Sequence, residues 1–276
     1  LPAKVSHSSR NTIDIERVQG GLRVAASDVV AVEDPLEIRI GHPQLGSAPR
    51  NVSVTMRTPG HDDELALGYL YAEGVIDDAA QVVAVRACTG NPRALRVELR
   101  GEAPRLDRLL RVGALSSSCG ACGKVSLDAV LGPARGVVAG VGKTAATTLF
   151  ALPARLRAAQ VDFAVTGGLH GVALFQLTGE LLSLREDVGR HNAFDKLVGH
   201  ALVQGQLPWT DRIVLLSGRA SFELLQKSAR AGASIVAAIG APSSLAIETA
   251  RAAGITLIGF MRDGGFNVYS GPQRIG

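Results

Sequence analysis

Cys119 and Cys122 stand three apart in the stretch Ser116-Ser-Ser-Cys-Gly-Ala-Cys-Gly-Lys124. Two thiols at that spacing can close a disulfide, hold a metal, or pass a sulfur atom. Structural zinc needs four ligands and usually a second such pair. The third cysteine, Cys88, is alone at the end of an expected strand and reads as a small buried apolar side chain. A thioredoxin-type redox pair opens a helix directly after a strand. Here small residues surround the pair, and 113–124 reads as an exposed loop, suited to carrying a group between partners. Lys124 favours the thiolate, which is the nucleophile. A redox pair, and a zinc site completed by His170 or His191, remain the alternatives.

A second set of residues follows three expected strands near the end of the chain. Ser217-Gly-Arg-Ala-Ser221 and Gly240-Ala-Pro-Ser-Ser244 each lead from a strand into a helix, and Phe260-Met-Arg-Asp-Gly-Gly265 follows the third strand. Open α/β sheets bind ligands outside the carboxyl ends of their strands. Helix starts there offer free N–H groups to phosphate, and Arg219 and Arg262 add charge-assisted bonds. Asp263 can accept from a guanine edge. Singly, Ser217, Gly218, Ser243, Phe260, Met261, Gly264 and Gly265 are ordinary loop and cap residues. In succession along one sheet edge, the three loops point to a nucleotide-like ligand.

Two further stretches concentrate polar groups among apolar ones, Thr166-Gly-Gly-Leu-His170 and Arg185-Glu-Asp-Val-Gly-Arg-His-Asn192. Asn192 reads as a helix cap. Arg190 and His191 precede that helix where an anion would sit. His170 reads equally as a core histidine or a site residue. Arg57-Thr-Pro-Gly-His61 with Glu64 forms a similar, weaker knot.

The elements that position these groups follow from periodicity. Runs 36–40 and 52–56 alternate apolar and polar residues as half-buried strands do. Runs 82–88 and 94–99 pair across the turn 89–92. A helix capped by Asp62 or Asp63 carries Leu65, Tyr69 and Ala72 on one face and ends at Gly74. A linker spans 132–147, and a short helix over 153–160 has Pro153 at its first position. Strands at 171–177 and 181–186 flank the turn Thr178-Gly179. A helix from Asn192 places Phe194, Leu197, Val198 and Leu202 on one face. Strand, helix, strand, helix, strand then run through 213–217, 221–232, 235–239, 245–253 and 255–260. That order predicts right-handed crossovers and a parallel sheet covered on both faces. The expected class is α/β (α+β overall), divided as a β-rich part over 1–112, a loop and linker over 113–147 and an α/β part over 148–276.

Composition excludes several functions. In 276 residues, 46% apolar, the chain has material for a real core. Aromatics at 4% with one Trp leave no stacking platform for single strands, and a net charge of +4 spread along the chain does not describe a nucleic-acid binder. It suits an anionic ligand. No apolar run reaches the length of a membrane span. Three cysteines do not describe a secreted disulfide scaffold; a cytoplasmic protein whose cysteines do chemistry is the expectation.

Taken in order, Ser116-Ser-Ser-Cys-Gly-Ala-Cys-Gly, Thr166-Gly-Gly-Leu-His, Arg185-Glu-Asp-Val-Gly-Arg-His-Asn-Ala-Phe-Asp-Lys196, Ser217-Gly-Arg-Ala-Ser-Phe-Glu and Gly240-Ala-Pro-Ser-Ser-Leu-Ala resemble the formate dehydrogenase accessory sulfurtransferase family, FdhD. The likeness runs from about 52 to 269 of this chain. It implies a sulfur carrier that takes persulfide sulfur from a cysteine desulfurase and hands it to the metal, molybdenum or tungsten, of a bis(molybdopterin guanine dinucleotide) cofactor, which then enters the formate dehydrogenase catalytic subunit. By position Cys119 matches the persulfide carrier, Cys122 the second thiol, and Phe260 to Gly265 the cofactor-binding segment. The implied fold has a cytidine-deaminase-like α/β part and assembles as a homodimer, with no permanent cofactor or metal, no nucleic acid and no membrane. Deamination itself is excluded: no His-x-Glu exists, and Ser118 rather than Pro precedes Cys119. A cofactor-binding chaperone that needs no Cys119 is the rival reading.

Overall fold

The computed structural model describes residues 8–102, 104–105, 142–262 and 264–276. Cys119, Cys122 and Asp263 lie outside the described residues, as do most of the expected loop and linker at 113–147. The first element is a long antiparallel hairpin, β1 (Arg10–Gln19) and β2 (Leu22–Ala31), turning at Gly20-Gly21, both at positive φ. Four strands then form a second sheet: β3 (Asp34–Gly41), β4 (Arg50–Arg57), β5 (Val82–Cys88) and β6 (Asn91–Leu99), in the order β4-β3-β6-β5. Its alternation is the one the sequence carries, with Leu36, Ile38 and Ile40 fully buried. The expected turn at 89–92 is tighter. Gly90, at φ 79°, lets Cys88 and Asn91 pair, so Pro92 falls inside β6. Pro92 precedes the stretch, from Ala94, that pairs with β3, so its missing N–H costs no ladder bond there.

Helix α1 (Asp62–Ala72) lies between β4 and β5 in the chain and buries Leu65 through Gly68, then Leu70 and Tyr71, so it is covered nearly all round. Its N-cap is His61, in the left-handed region at φ 56°, and not Asp62 or Asp63. Those two acids and Glu64 occupy the first turn, where the helix dipole favours negative charge.

The C-terminal part opens with α2 (Ala146–Ala159) and α3 (Val161–Thr166). Helix α2 starts seven residues before the expected position, and Pro153 sits inside it. Proline there forfeits one helical hydrogen bond. Burial of Leu149, Leu152 and Leu156 against the sheet outweighs that loss. The remaining elements are β7 (His170–Gln176), β8 (Leu181–Asp187), α4 (Arg190–Val203), β9 (Arg212–Leu216), α5 (Phe222–Arg230), β10 (Ile235–Ala238), α6 (Ser244–Ala252), β11 (Thr256–Arg262) and β12 (Gly265–Ser270). The six strands order as β12-β11-β10-β9-β7-β8. β9, β10 and β11 run parallel as expected, and antiparallel strands β7 and β12 flank them. Asn192 is the third residue of α4 and buried, so it is not the cap; Gly189 is.

The six-stranded sheet is covered on both faces. Ala173, Phe175, Leu215 and Ile258 meet α2 on one side. Val172, Leu174, Leu216 and Leu257 join a larger cluster on the other, which continues through Phe194 and Leu197 of α4 and Leu65 and Leu70 of α1 to the inner face of the four-stranded sheet. Helices α1 and α4 touch backbone to backbone at two glycines. A Cβ on Gly68 would overlap the carbonyl of Asp195, and one on Gly199 the carbonyl of Glu64. Gly199→Ala therefore separates the two helices, with a loss of about 3 kcal/mol or more in a urea unfolding curve.

Candidate functional site

The loops at the carboxyl ends of β9, β10 and β11 are joined by main-chain bonds. The Gly240 N–H donates to the Gly218 carbonyl (2.9 Å), Ala220 to Ala241 (3.2 Å), Ser243 to Ala220 (3.1 Å) and Phe260 to Gly240 (3.1 Å). On the β7 side, Gly171 and Ser217 exchange two bonds, one through the Ser217 hydroxyl. The glycines permit this closeness: a Cβ on Gly240 would lie 3.0 Å from the Gly218 oxygen, and one on Gly218 3.3 Å from the His170 ring. Gly218 is thus a packing residue beneath His170.

β7 and β8 run antiparallel to each other beside β9, with His170 opposite Asp187. The start of β7, the end of β8 and the start of α4 therefore reach the same edge as the three loops. There the Asp187 carboxylate, fully buried, accepts from the N–H groups of Thr58 (3.1 Å) and Gly189 (2.8 Å), from Asn192 Nδ2 (3.1 Å) and from Lys196 Nζ (2.7 Å). Lys196 also donates to the Thr58 carbonyl (2.7 Å), and Asn192 to that of Met56 (2.7 Å). This network ties the ends of β4 and β8 to the first turns of α4 and so fixes where His191 stands.

His191 places Nε2 2.8 Å from Glu223 Oε2 and 3.5 Å from the Ser221 hydroxyl. His170 is half-buried. Burial first, then the charges of Arg190 and His191, push its imidazole below the ordinary value, with Asp187 opposing. His170 is therefore neutral near neutral pH.

Phe260 is the unusual residue of the edge. It holds φ 51°, a left-handed conformation that bulky side chains rarely adopt, and its ring is exposed. Between Gly259 and Arg262 the ladder to β12 is irregular. A cleft of about 560 Å³ opens here, lined by Phe260, Arg262, Gly264, Gly265, Phe266 and Asn267. Backbone strain held beside a cleft is a common mark of a functional segment.

Of the expected site residues, His191, Ser217, Gly218, Arg219, Ser243, Phe260, Arg262, Gly264 and Gly265 share this edge. Met261 does also, but its side chain is buried in the core against α2, leaving its backbone for a ligand. The Ser243 hydroxyl caps α6 by accepting from the Ala246 N–H (3.3 Å). His61 and Glu64 lie elsewhere. Burial alone would raise the Glu64 carboxyl, but the bond from Arg185, its charge and the neighbouring His61 and His200 hold it below the ordinary range. His61 borders a second cleft of about 330 Å³ with Thr58, Arg185 and Lys196. The roles of Asp187, Lys196 and Glu223 are absent from the reading of the sequence. Lys196 lies one turn after Asn192, on the opposite side of α4 from Phe194 and Val198, so periodicity alone reads it as a solvent-facing charge.

A model of the FdhD/NarQ family matches residues 31–276. The chain belongs to the FdhD/NarQ family. A sulfur carrier protein FdhD of Mycolicibacterium paratuberculosis is 45% identical over 272 residues, 95% of this chain and 97% of the relative. The sulfur carrier protein FdhD of Sulfolobus acidocaldarius is 40% identical over 263 residues, again 95% and 97%. A putative formate dehydrogenase accessory protein from Desulfotalea psychrophila shares the fold, with a TM-score of 0.76 over 97% of this chain and 100% of that one, at 23% identity. The matched range contains Asp187, His191 and the loops of the sheet edge.

Two outcomes follow. Lys196→Met leaves Asp187 buried without its counter-charge and costs about 3–5 kcal/mol in denaturant unfolding; pairing it with Asp187→Asn recovers part of that loss. His170 has a depressed folded-state pKa, so its contribution is present above the unfolded value of about pH 6.5 and is lost as pH falls from there through the lower folded value. His170→Gln accordingly flattens the decline of the melting temperature on the acid side of neutrality.

Proposed function

We propose that this chain is a sulfur carrier, a sulfurtransferase that works through a cysteine persulfide. Cys119 takes sulfur from a cysteine desulfurase, with Cys122 as the second thiol. The cargo passes to the metal, molybdenum or tungsten, of the bis(molybdopterin guanine dinucleotide) cofactor, which is substrate here and not a resident group. The client is the formate dehydrogenase catalytic subunit, and the protein acts in the cytoplasm as a homodimer.

The observation that carries the reading is the convergence on one edge of three backbone-joined loops, two histidines and the exposed Phe260 beside an open cleft. A guanosine diphosphate tail needs a flat apolar face, cations and free N–H groups. Phe260 supplies the face for the base. Arg219 and Arg262 supply charge for the diphosphate. Gly264 and Gly265 keep the approach open. The names of the relatives support sulfur as the cargo, and no helix among the described residues is long and apolar enough to cross a membrane.

In the loading step, the Cys119 thiolate attacks the outer sulfur of the donor persulfide. A new S–S bond forms at Cys119, the donor's own S–S bond breaks, and the donor leaves as a thiolate. No net oxidation occurs.

Incubation with a cysteine desulfurase and cysteine, followed by intact mass and peptide mapping, tests this. A gain of the mass of one sulfur atom, reversed by reductant and mapped to Cys119, is the expected outcome, and Cys119→Ala abolishes it. An active desulfurase that leaves both cysteines unmodified refutes the relay and turns attention to a cofactor-binding chaperone.

A further inference from the structure

The hairpin of β1 and β2 stands apart from the two larger sheets. From Asn11 to Val30, no hydrogen bond or ion pair among the described residues ties it to the rest of the chain. Its anchor is at the base, where Arg10 pairs with Asp162 of α3. A two-stranded hairpin by itself is marginal in water, and both outer edges of this one lack a neighbouring strand among the described residues. Such an element needs a partner.

The strand period divides the hairpin into two unlike faces. On one face Asn11 lies opposite Val30, Ile13 opposite Asp28, Ile15 opposite Ala26, Arg17 opposite Val24 and Gln19 opposite Leu22. The other face carries Arg10, Asp14, Glu16 and Arg23, with Arg23 donating to Glu16 (2.8 Å). This second, polar face leans on the body of the protein at the base. Arg10 reaches α3 from it, and a Cβ on Gly168 would lie 3.6 Å from that of Ala31. The first face is therefore turned outward, and on it Leu22 is 72%, Val24 60% and Ile13 39% exposed. A contiguous apolar face left this open marks an interaction surface.

We infer that two copies of this chain meet on this face, hairpin against hairpin, about a two-fold axis through the rung of Ile15 and Ala26. That rung is the third of the five on the face, so an antiparallel two-fold exchanges the first with the fifth and the second with the fourth. Val30 of one copy then meets Leu22 of the other, and Asn11 meets Gln19. The rung of Arg17 and Val24 faces the rung of Asp28 and Ile13. Within one hairpin Arg17 and Asp28 are two rungs apart, about 14 Å along the strands, too far to pair. Neither has an ion pair among the described residues, and the Asp28 carboxylate accepts only the N–H of Val29 (2.9 Å). Across the axis each finds its opposite charge, and the apolar side chains find one another. The face is complementary to itself, which selects a second copy as its occupant. The inference gives the homodimer proposed above its surface, and it can fail while that homodimer stands.

Sedimentation velocity of the full chain over a concentration series tests this. The wild type should associate to a dimer. Arg17→Asp sets acid against acid at both contacts and Asp28→Arg sets cation against cation, so each variant alone should raise the dimer dissociation constant about tenfold or more. An equimolar mixture of the two variants brings opposite charges back to both contacts and should dimerise about as tightly as the wild type. A defect in folding cannot be repaired by mixing, so this rescue reports the interface alone. Two variants that each dimerise like the wild type overturn the inference and leave the homodimer standing on another surface. A mixture that associates no better than its components does the same. A wild type that stays monomeric at every concentration removes both the inference and the homodimer.

Discussion

The ion pair between Asp187 and Lys196 lies in the interior, with both side chains sealed from water. Such a pair is not a dependable source of stability, because desolvation of both charges offsets most of their attraction. Its consequence is geometric. A buried carboxylate must be surrounded by donors, and the donors Asp187 recruits come from Thr58 beyond β4, Gly189 in the turn and Asn192 and Lys196 in α4. Thr58, 129 residues away in the chain, is thereby fixed against the turn and helix that follow Asp187. The charge thus converts a hydrophobic layer, which tolerates sliding, into a joint with a defined register.

Close backbone contact does the same work without charge. Gly68 and Gly199 let α1 and α4 touch, which ties the four-stranded sheet to the six-stranded one through a shared core. Gly218 and Gly240 let successive strand-end loops stack. Helix, sheet edge and polar joint therefore share one tolerance, and the positions of His170, His191 and Phe260 inherit it.

Much of this was readable before any coordinates. The alternation at 36–40 and 52–56, and the strand–helix order from 213 onward, report single-element periodicities that burial on one or both faces imposes. The loops at 217, 240 and 260 could be set on one edge from the parallel sense that the strand–helix alternation implies. What escaped is what depends on contacts between elements. Pro153 reads as a helix start until the sheet beneath Leu149 and Leu156 is known. Asn192 reads as a cap until Asp187 and Met56 claim its amide. Glu223 reads as an ordinary first-turn acid until α4 brings His191 to it. Met261 reads as a ligand contact until the strand's alternation turns it inward.

The loops of the strand edge are held to one another by main-chain groups, and this bears on how such a site changes over time. A platform whose shape comes from N–H and carbonyl groups does not depend on the identity of Ala241 or Arg219. Replacements on its outer surface alter charge and bulk without moving the frame. Single exchanges can therefore change what the edge presents to its surroundings, while Gly218, Gly240 and the Asp187 joint are closed to drift. Variation and constancy in such a protein should divide along that line, between side chains that face outward and backbone that faces itself.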